Sequence, residues 1–275
     1  MPQEPHAFRL RCRSLLTRSG IPSVDYAVNP YFGCTHGCAY CYATFMLKFR
    51  DAPGPWGSFV GVKENAAFVL ARELARRKPG RILFGTVCDA YQPAEAGHRV
   101  TRECLRALIG ARGFGVGILT KSDLVVRDVD VLAELGQVRV GFSMTTLDDD
   151  LARLVEPGAP PPRSRLEAMR ELARAGVAVW GFIAPVLPTF SDSEETLRAL
   201  MVALRDAGAD RVLVDTLNPY PQVRHRLWPI IARHYPDRAA AYEMYRADRA
   251  AYASALALTA ANAAQSAGVV VEMCF

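Results

Sequence analysis

Short apolar runs alternate with longer amphipathic segments along most of the chain. Runs rich in β-branched and aromatic residues, bounded by Gly, Asp or Pro, predict buried strands at 81–87, 115–120, 138–146, 177–187 and 211–218. Another strand is expected at 26–29. Between the runs, apolar residues at a helical period predict helices at 64–77, 98–111, 127–136, 163–176 and 192–208. This alternation predicts a parallel sheet with right-handed helical crossovers.

The composition fits one α/β domain with additions at both ends. Of the 275 residues, 51% are hydrophobic and 22% are charged, which is typical of a globular protein with ample core material. We expect an N-terminal segment over 1–22, the α/β domain over 23–222 and an extension over 223–275. The extension has a helical pattern rich in alanine and arginine, followed by the apolar run "VVVEMCF", which predicts a last strand.

One helix carries clear end signals. For the helix at 192–208, Ser191 or Asp192 is expected to cap the first turn, and Gly208 is expected to end the last.

The meaning of clustered cysteines depends on the compartment, and the sequence favours the cytoplasm. Charged residues interrupt 1–16 before an apolar signal region can form. The longest apolar run, 177–190, is too short and too interrupted by proline to span a bilayer. In a reducing compartment, clustered thiols indicate metal binding or catalysis more often than disulfides. The net charge of +5 accommodates an anionic substrate without requiring one.

Three of the seven cysteines lie in the stretch "NPYFGCTHGCAYCYA", at 29–43. Structural zinc usually takes four ligands from two separated pairs, and no second pair follows Cys34, Cys38 and Cys41. His36 is a fourth ligand by position only, because it is squeezed between two of the cysteines. Three thiolates in one loop instead leave one iron of a cubane cluster open, as a catalytic centre requires.

The spacing Cys34-x3-Cys38-x2-Cys41, with Tyr40 before the third cysteine, resembles the signature of the radical S-adenosylmethionine (radical SAM) superfamily. The resemblance implies a [4Fe-4S] cluster held by these cysteines, with S-adenosylmethionine at the open iron. The implied chemistry is reductive cleavage of this sulfonium to a 5′-deoxyadenosyl radical that takes hydrogen from carbon. The implied fold is a partial (β/α)6 barrel, which the helical C-terminal extension predicted above follows. The electron donor expected for such an enzyme is a flavodoxin or ferredoxin.

Further segments resemble a narrower group, which contains spore photoproduct lyase and the DNA-repair-photolyase-like proteins. They are "GTVCDAYQP", "ILTKS", "VVRDVDVL", "GFSMTTLDDDLARLVEPGAPPPRSRLEAM" and "APVLPTFSD". The group suggests a nucleic acid lesion or a nucleotide-like molecule as substrate. A sugar or a peptide stays open, because many members have no established substrate and a shared barrel does not transfer one.

The same resemblance implies that three side chains contact S-adenosylmethionine. Lys121, at a strand end, pairs with the methionyl carboxylate, and Ser143, at the end of the next strand, donates its hydroxyl to it. Tyr40 lies against the adenine. The structural alternatives are a lysine in solvent, a serine satisfied by the backbone and a tyrosine packed in the core.

Two further side chains are implied at this site, each with its own alternative. Asp89 follows the second strand and is implied to bind the methionyl ammonium, although a turn or capping aspartate fits the position equally well. Arg165 resembles a family arginine near the cofactor. Because the same helix also carries Arg163, Arg170 and Arg174, a solvated arginine face is the stronger expectation for it.

Cys88, in "GTVCDAYQP", is implied as a catalytic hydrogen donor to the product radical, since a cysteine beside this strand end has that role in spore photoproduct lyase. A thiol with an ordinary pKa of about 8.5 keeps its hydrogen at neutral pH. A buried apolar cysteine is the competing interpretation. Cys12 and Cys104 are expected to pack as small apolar residues, and His36 to be a surface or capping residue.

Two other classes of protein use the same residues differently. In a zinc-stabilised nucleic-acid-binding module, the cysteines hold one zinc ion and basic groups bind phosphate. An iron–sulfur electron-transfer or sensor protein holds a cluster without consuming S-adenosylmethionine. The sequence shows neither a second cysteine-rich region nor a separate cobalamin domain, so we expect a single cluster and no cobalamin.

Overall fold

The computed structural model describes residues 5–48 and 51–275, and most of its strands belong to one large sheet. In chain order the strands are β1 (His6–Leu10), β2 (Thr17–Arg18), β3 (Tyr26–Val28), β4 (Tyr31–Phe32), β5 (Phe59–Lys63), β6 (Arg81–Phe84), β7 (Gly115–Thr120), β8 (Val138–Ser143), β9 (Ala178–Val186), β10 (Val212–Thr216) and β11 (Val271–Met273). The large sheet has the order β11-β10-β9-β8-β7-β6-β3-β2.

Six neighbouring strands of this sheet, β3 and β6 to β10, are mutually parallel. The predicted α/β architecture with a parallel sheet is therefore confirmed. At one edge β2 pairs antiparallel with β3, and at the other edge β11 pairs parallel with β10. Over the described ranges these two edges do not pair with each other, so the sheet is open and is not a closed barrel.

Helices connect the parallel strands. They are α1 (Ala66–Leu74), α2 (Glu95–His98), α3 (Val100–Arg106), α4 (Val129–Glu134), α5 (Asp149–Val155), α6 (Pro162–Arg174), α7 (Glu194–Asp206), α8 (Pro221–His234), α9 (Ala239–Ala247) and α10 (Arg249–Ala267). Short 3-10 helices occupy Tyr42–Lys48, Asp123–Asp128 and Pro236–Arg238. Apolar side chains of α1, α3, α6 and α7 join those of the sheet in one large core.

Helix α7 begins slightly later than the sequence predicts. Ser193, rather than Ser191 or Asp192, is its cap, because the Ser193 hydroxyl accepts an N–H of the first turn at 3.2 Å. The two other side chains instead accept N–H groups from the preceding turn, 187–189. Gly208, with φ at +101°, follows the end of the helix as expected.

A second sheet of three strands, in the order β1-β5-β4, is missing from the sequence prediction. Strand β1 of this sheet lies in the N-terminal segment 1–22, for which the sequence analysis predicts no helix or strand. Phe59 of β5 packs against Phe8 and Phe32, with ring centroids 6.4 and 5.6 Å away. Because β4 leads directly into the cysteine stretch, this small sheet anchors the start of that loop.

The C-terminal residues return to the large sheet after three helices. Val271 of β11 pairs with Val212 of β10. Small buried residues of α10, such as Ala260, allow a close approach to α7, and Arg205 of α7 donates a hydrogen bond to the Ala267 carbonyl at 2.6 Å. Residues 223–275 therefore contribute both helices and an edge strand.

Strands β8 and β9 approach closely at a glycine. Gly141 is the cross-strand partner of Trp180. A Cβ atom added at position 141 would lie 2.2 Å from the indole, which is only 8% exposed. The indole thus occupies space that a side chain at 141 would need.

We expect Gly141→Ala to lower the free energy of unfolding by about 1–3 kcal/mol, because the new methyl group overpacks against a buried indole. Gly115→Ala on β7 is the matched control, since its Cβ would lie 3.8 Å from the nearest side chain. Urea denaturation followed by circular dichroism measures both values. Equal stability of the two variants would contradict this account of the packing.

Candidate active site

The polar residues singled out in the sequence lie at the carboxyl ends of consecutive parallel strands. The cysteine loop, 33–41, follows β3 and β4, Cys88 and Asp89 follow β6, Lys121 follows β7, and Ser143 ends β8. Parallel strands place these ends along the same edge of the sheet, where sites of such folds are built.

Two tight turns shape the cysteine loop. The Gly37 N–H donates to the Cys34 carbonyl at 3.3 Å, and the Cys41 N–H donates to the Cys38 carbonyl at 3.2 Å. Gly33 has φ at +79°, and a Cβ there would lie 2.6 Å from the Phe59 ring. The glycine therefore lets the loop leave β4 against the small sheet without a clash.

A buried glutamine makes hydrogen bonds to the backbone of the first half of this loop. The Gln92 side chain accepts the Thr35 N–H at 2.9 Å and donates to the Gly33 carbonyl at 3.1 Å. Gln92 is fully buried. Sequence reasoning missed its role, although it lies in the motif "GTVCDAYQP", because nothing local shows which backbone groups a glutamine will meet.

Asp89 connects the cysteine loop to β7. Its Oδ1 accepts hydrogen bonds from the Thr120 hydroxyl and the Tyr91 N–H at 2.7 and 2.8 Å, and its Oδ2 accepts the Lys121 N–H at 2.7 Å. Nδ1 of His36 lies 3.4 Å from Oδ2. Burial alone would raise the pKa of Asp89, but His36 and these donors lower it to about 2. Four protein groups thus surround the carboxylate, and its contact with a methionyl ammonium stays a prediction.

His36 is not the surface residue that the sequence suggests. It is 1% exposed, because the loop turns inward between Cys34 and Cys38 and presents the imidazole to Asp89. The Gly158 N–H donates to the His36 carbonyl at 2.9 Å, which fastens the loop to the turn after α5.

Arg165 is also buried, at 1% exposure, so the expected solvated face is wrong for this residue. Its guanidinium donates to the Pro160 carbonyl at 2.9 Å, to the Ser143 carbonyl at 3.1 Å and to the Glu156 carboxylate. It lies in the first turn of α6, on the side that faces the sheet. Arg163 does lie in solvent, with 82% of its side chain exposed.

Glu156 is the central acceptor of a second polar network, and sequence reasoning missed it. It accepts hydrogen bonds from the Tyr40 hydroxyl and from Arg165. Burial opposes its charge, but Arg165 and Lys121 lower its pKa below the ordinary value. Its sequence context, "EPGAPPPR", indicates only a turn-rich loop, so no local signal marks it as buried.

Lys121 is half-buried and lies beside Tyr40. Its ammonium is 5.5 Å from the centroid of the Tyr40 ring, within the range of a cation–π contact. Burial would lower the pKa of Lys121, but Cys38 and Glu156 outweigh it and raise the pKa. Tyr40 in turn donates to Glu156 and lies 3.0 Å from the Thr145 hydroxyl, so its ring is held in place.

Cys88 is separated from this network and lies beside Asn29. Its thiol is 3.7 Å from Asn29 Oδ1, which also accepts the Val87 N–H at 2.9 Å. Burial raises the pKa of Cys88 to about 12, and the nearby Asp89 adds to the rise. The thiol therefore keeps its hydrogen at neutral pH. Cys104 is fully buried on α3, as predicted.

The donor set of the loop fits an iron–sulfur cluster. Burial raises the pKa of Cys34 and of Cys38, the latter to about 12, so the free thiols are neutral and a metal would displace their protons. Nε2 of His36, Nε1 of Trp56 and Nη1 of Arg226 are buried and have no oxygen or nitrogen partner over the described ranges. Sulfur atoms of a cluster accept hydrogen bonds from N–H groups such as those of the indole and the guanidinium.

No three His, Cys, Asp or Glu side chains of the described residues are grouped as ligands of one metal ion.

Comparison with known proteins identifies relatives across most of the chain. The model of the Radical SAM superfamily matches residues 28–201. An uncharacterized protein of Mycobacterium tuberculosis is 37% identical over 248 residues, which cover 86% of this chain and 72% of that protein. An uncharacterized protein of Methanocaldococcus jannaschii is 33% identical over 186 residues, which cover 68% of this chain and 70% of that protein.

Solved structures share the fold. The structure of spore photoproduct lyase complexed with dinucleoside spore photoproduct superposes with a TM-score of 0.69 and 19% identity, over 98% of this chain and 82% of that chain. The region matched by the family model holds the cysteine loop and every predicted cofactor-binding residue through Arg165. By this match, which covers more than half of its length, the chain belongs to the radical SAM superfamily.

Proposed function

We propose that the protein binds a [4Fe-4S] cluster through Cys34, Cys38 and Cys41 and uses S-adenosylmethionine to abstract hydrogen from a nucleobase-containing substrate. The observation that carries the proposal is the position of the three thiols. They lie on a largely buried loop at the carboxyl edge of the sheet, beside the Lys121, Tyr40 and Glu156 network. The superfamily uses this cluster and this cofactor.

When bound, the reduced cluster and S-adenosylmethionine supply a 5′-deoxyadenosyl radical. The protein supplies orientation and shields the site from water. Lys121 would offer its charge to the methionyl carboxylate, and the Ser143 hydroxyl would donate to the same group. Tyr40, fixed through Glu156, would present its ring to the adenine. Arg165 is a positioning residue. Its guanidinium is already bonded to Glu156 and to the Ser143 carbonyl, so it holds these groups in place and does not contact the cofactor itself.

Cys88 is the proposed hydrogen donor to the product radical. Its raised pKa keeps the S–H bond intact at neutral pH, and Asn29 holds the sulfur at the end of β6. Because the thiol is not among the cluster ligands, its role begins only after a substrate radical has formed.

A cavity of about 440 Å³ beside the cysteine loop supports a nucleotide-like substrate. Its lining includes Tyr42 and Phe45, whose rings stack with centroids 6.2 Å apart, and the basic residues Arg18 and Lys63. Aromatic faces bind bases by stacking, and basic groups bind phosphate. The similar fold of a lyase complexed with a dinucleoside photoproduct supports the same class of substrate.

Radical SAM enzymes need a reductant, and we propose a flavodoxin or ferredoxin for this one. We also propose that the protein works in the cytoplasm, where such donors and free thiols occur. No helix of the described chain combines the length and the apolar character needed to cross a bilayer.

The decisive experiment is an anaerobic preparation assayed for iron, sulfide, zinc and 5′-deoxyadenosine. The proposal requires an oxygen-sensitive brown protein with about four irons per chain that releases the nucleoside under reducing conditions. A zinc-stabilised nucleic-acid-binding module would be colourless, with one zinc. An electron-transfer or sensor protein would be brown but would release no 5′-deoxyadenosine.

Single Cys→Ala changes at Cys34, Cys38 and Cys41 should each abolish the cluster absorbance and the release of 5′-deoxyadenosine, because alanine offers iron no thiolate. Cys274→Ala, at an exposed thiol outside the site, is the control and should keep both. Visible absorption and iron analysis of purified protein measure the outcome. A complete cluster in any of the three variants would refute this ligation.

Lys121→Ala should weaken binding of S-adenosylmethionine tenfold or more while the iron content stays unchanged. The variant loses a charge-assisted hydrogen bond worth about 1.5–3 kcal/mol, and about 1.4 kcal/mol corresponds to a tenfold change. The control is Lys78→Ala, at an exposed lysine away from the site. Anaerobic equilibrium binding gives the dissociation constants, and the proposed contact is wrong if the two variants bind equally well.

Cys88→Ala should retain the cluster and still cleave S-adenosylmethionine, but its turnover of substrate should stall or give by-products. The reason is that the product radical then lacks its nearby hydrogen donor. Iron content and 5′-deoxyadenosine release are measured first, and product analysis follows with a dinucleotide substrate. Wild-type product at the wild-type rate would exclude the donor role, and loss of the cluster would make Cys88 a structural residue.

A further inference from the structure

An arginine from the C-terminal part of the chain reaches the cysteine loop. Arg226 lies on α8, and its Nη2 donates to the Gly37 carbonyl at 2.7 Å and lies 3.5 Å from the Trp56 carbonyl. It thus joins the loop between Cys34 and Cys38 to the segment before β5. The superfamily model ends at residue 201, so Arg226 lies outside the matched region.

Two N–H groups at this junction have no oxygen or nitrogen acceptor. Nη1 of Arg226 and Nε1 of Trp56 are both buried, and neither has such an acceptor at hydrogen-bond distance within the described ranges. A buried donor without an acceptor costs about 1–3 kcal/mol, and native proteins rarely leave one unpaired. Two such donors at one junction indicate that an acceptor belongs near them.

Both donors lie at the cysteine loop. Arg226 donates to the Gly37 carbonyl, between Cys34 and Cys38. Trp56 and Cys41 pack in the same core cluster, and the indole N–H is directed at the Cys41 thiol. The acceptors within reach of the two donors are therefore sulfur atoms of this loop.

We propose that Trp56 and Arg226 donate their free N–H groups to sulfur atoms of the cluster at Cys41 and thereby raise its reduction potential. The inference rests on the proposed ligation by the three cysteines. The potential of an iron–sulfur cluster depends on its net charge, on hydrogen bonds to its sulfurs and on its exposure to solvent. Reduction adds a negative charge, so a partly buried guanidinium and two N–H donors stabilise the reduced form more than the oxidised form.

The two side chains affect the reduction potential differently. Trp56 contributes a neutral donor, and Arg226 contributes a donor together with a positive charge. Arg226 is therefore expected to have the larger effect, because the charge acts on the whole cluster and the indole acts on one sulfur.

The test is the midpoint potential of the cluster in the full chain, measured without S-adenosylmethionine by redox titration followed by electron paramagnetic resonance. The variants are Trp56→Phe, which removes only the indole N–H, and Arg226→Gln, which removes the charge but keeps an N–H for the Gly37 carbonyl. Arg233→Gln is the control, at an exposed arginine on the same helix. Iron and sulfide are counted first in every preparation.

Both variants should keep the full iron content and have lower potentials than the wild type, while Arg233→Gln matches the wild type. For Arg226→Gln we expect reduction to become at least tenfold less favourable, which is 59 mV for one electron. If Arg226→Gln loses the cluster, Trp56→Phe alone decides. Wild-type potentials with full iron in the surviving variants would overturn the inference. Wild-type protein without iron and sulfide would overturn the ligation itself.

Discussion

The carboxylate of Asp89 is the interaction on which the geometry of the site depends. A charge held this far from solvent persists only when protein donors replace its water. Here the donors come from the cysteine loop through His36, from the turn after β6, and from the end of β7 through Thr120 and the Lys121 backbone. Three segments distant in sequence are thereby fixed around two oxygen atoms. With a pKa of about 2, the carboxylate keeps its charge at any physiological pH.

Glu156 is the second buried carboxylate that holds segments of the site together. It holds Tyr40 and Arg165, and its charge also acts on Lys121. Two carboxylates and the cations of Arg165, Lys121 and Arg226 thus lie near the three thiols within the described ranges. Arg165 is bonded to Glu156 and Arg226 to the Gly37 carbonyl, whereas the ammonium of Lys121 lies over the Tyr40 ring. This difference is the reason for proposing Lys121 as the partner of an anionic group from outside the protein.

The large sheet and the cysteine loop could be predicted because their signals are local. Parallel strands covered on both faces give continuous apolar runs, and ligand spacing within one loop is visible in the sequence. The small sheet could not be predicted, since β4 has only two residues and pairs with a strand far along the chain. The burial of Arg165 follows from Glu156, which lies in another segment. The pattern of a helix shows only the residues of that helix, and this one carries several arginines. The pattern therefore predicted a solvent-exposed arginine, because it does not reveal a carboxylate in another segment.

The two edges of the large sheet are both very short. β2 has two residues and β11 has three, whereas the inner strand β9 has nine. A long unpaired edge is a template onto which a strand of another molecule can add, and short edge strands leave few backbone groups for such pairing. The sheet therefore stays open at both sides while leaving few unpaired backbone groups onto which another molecule could add a strand.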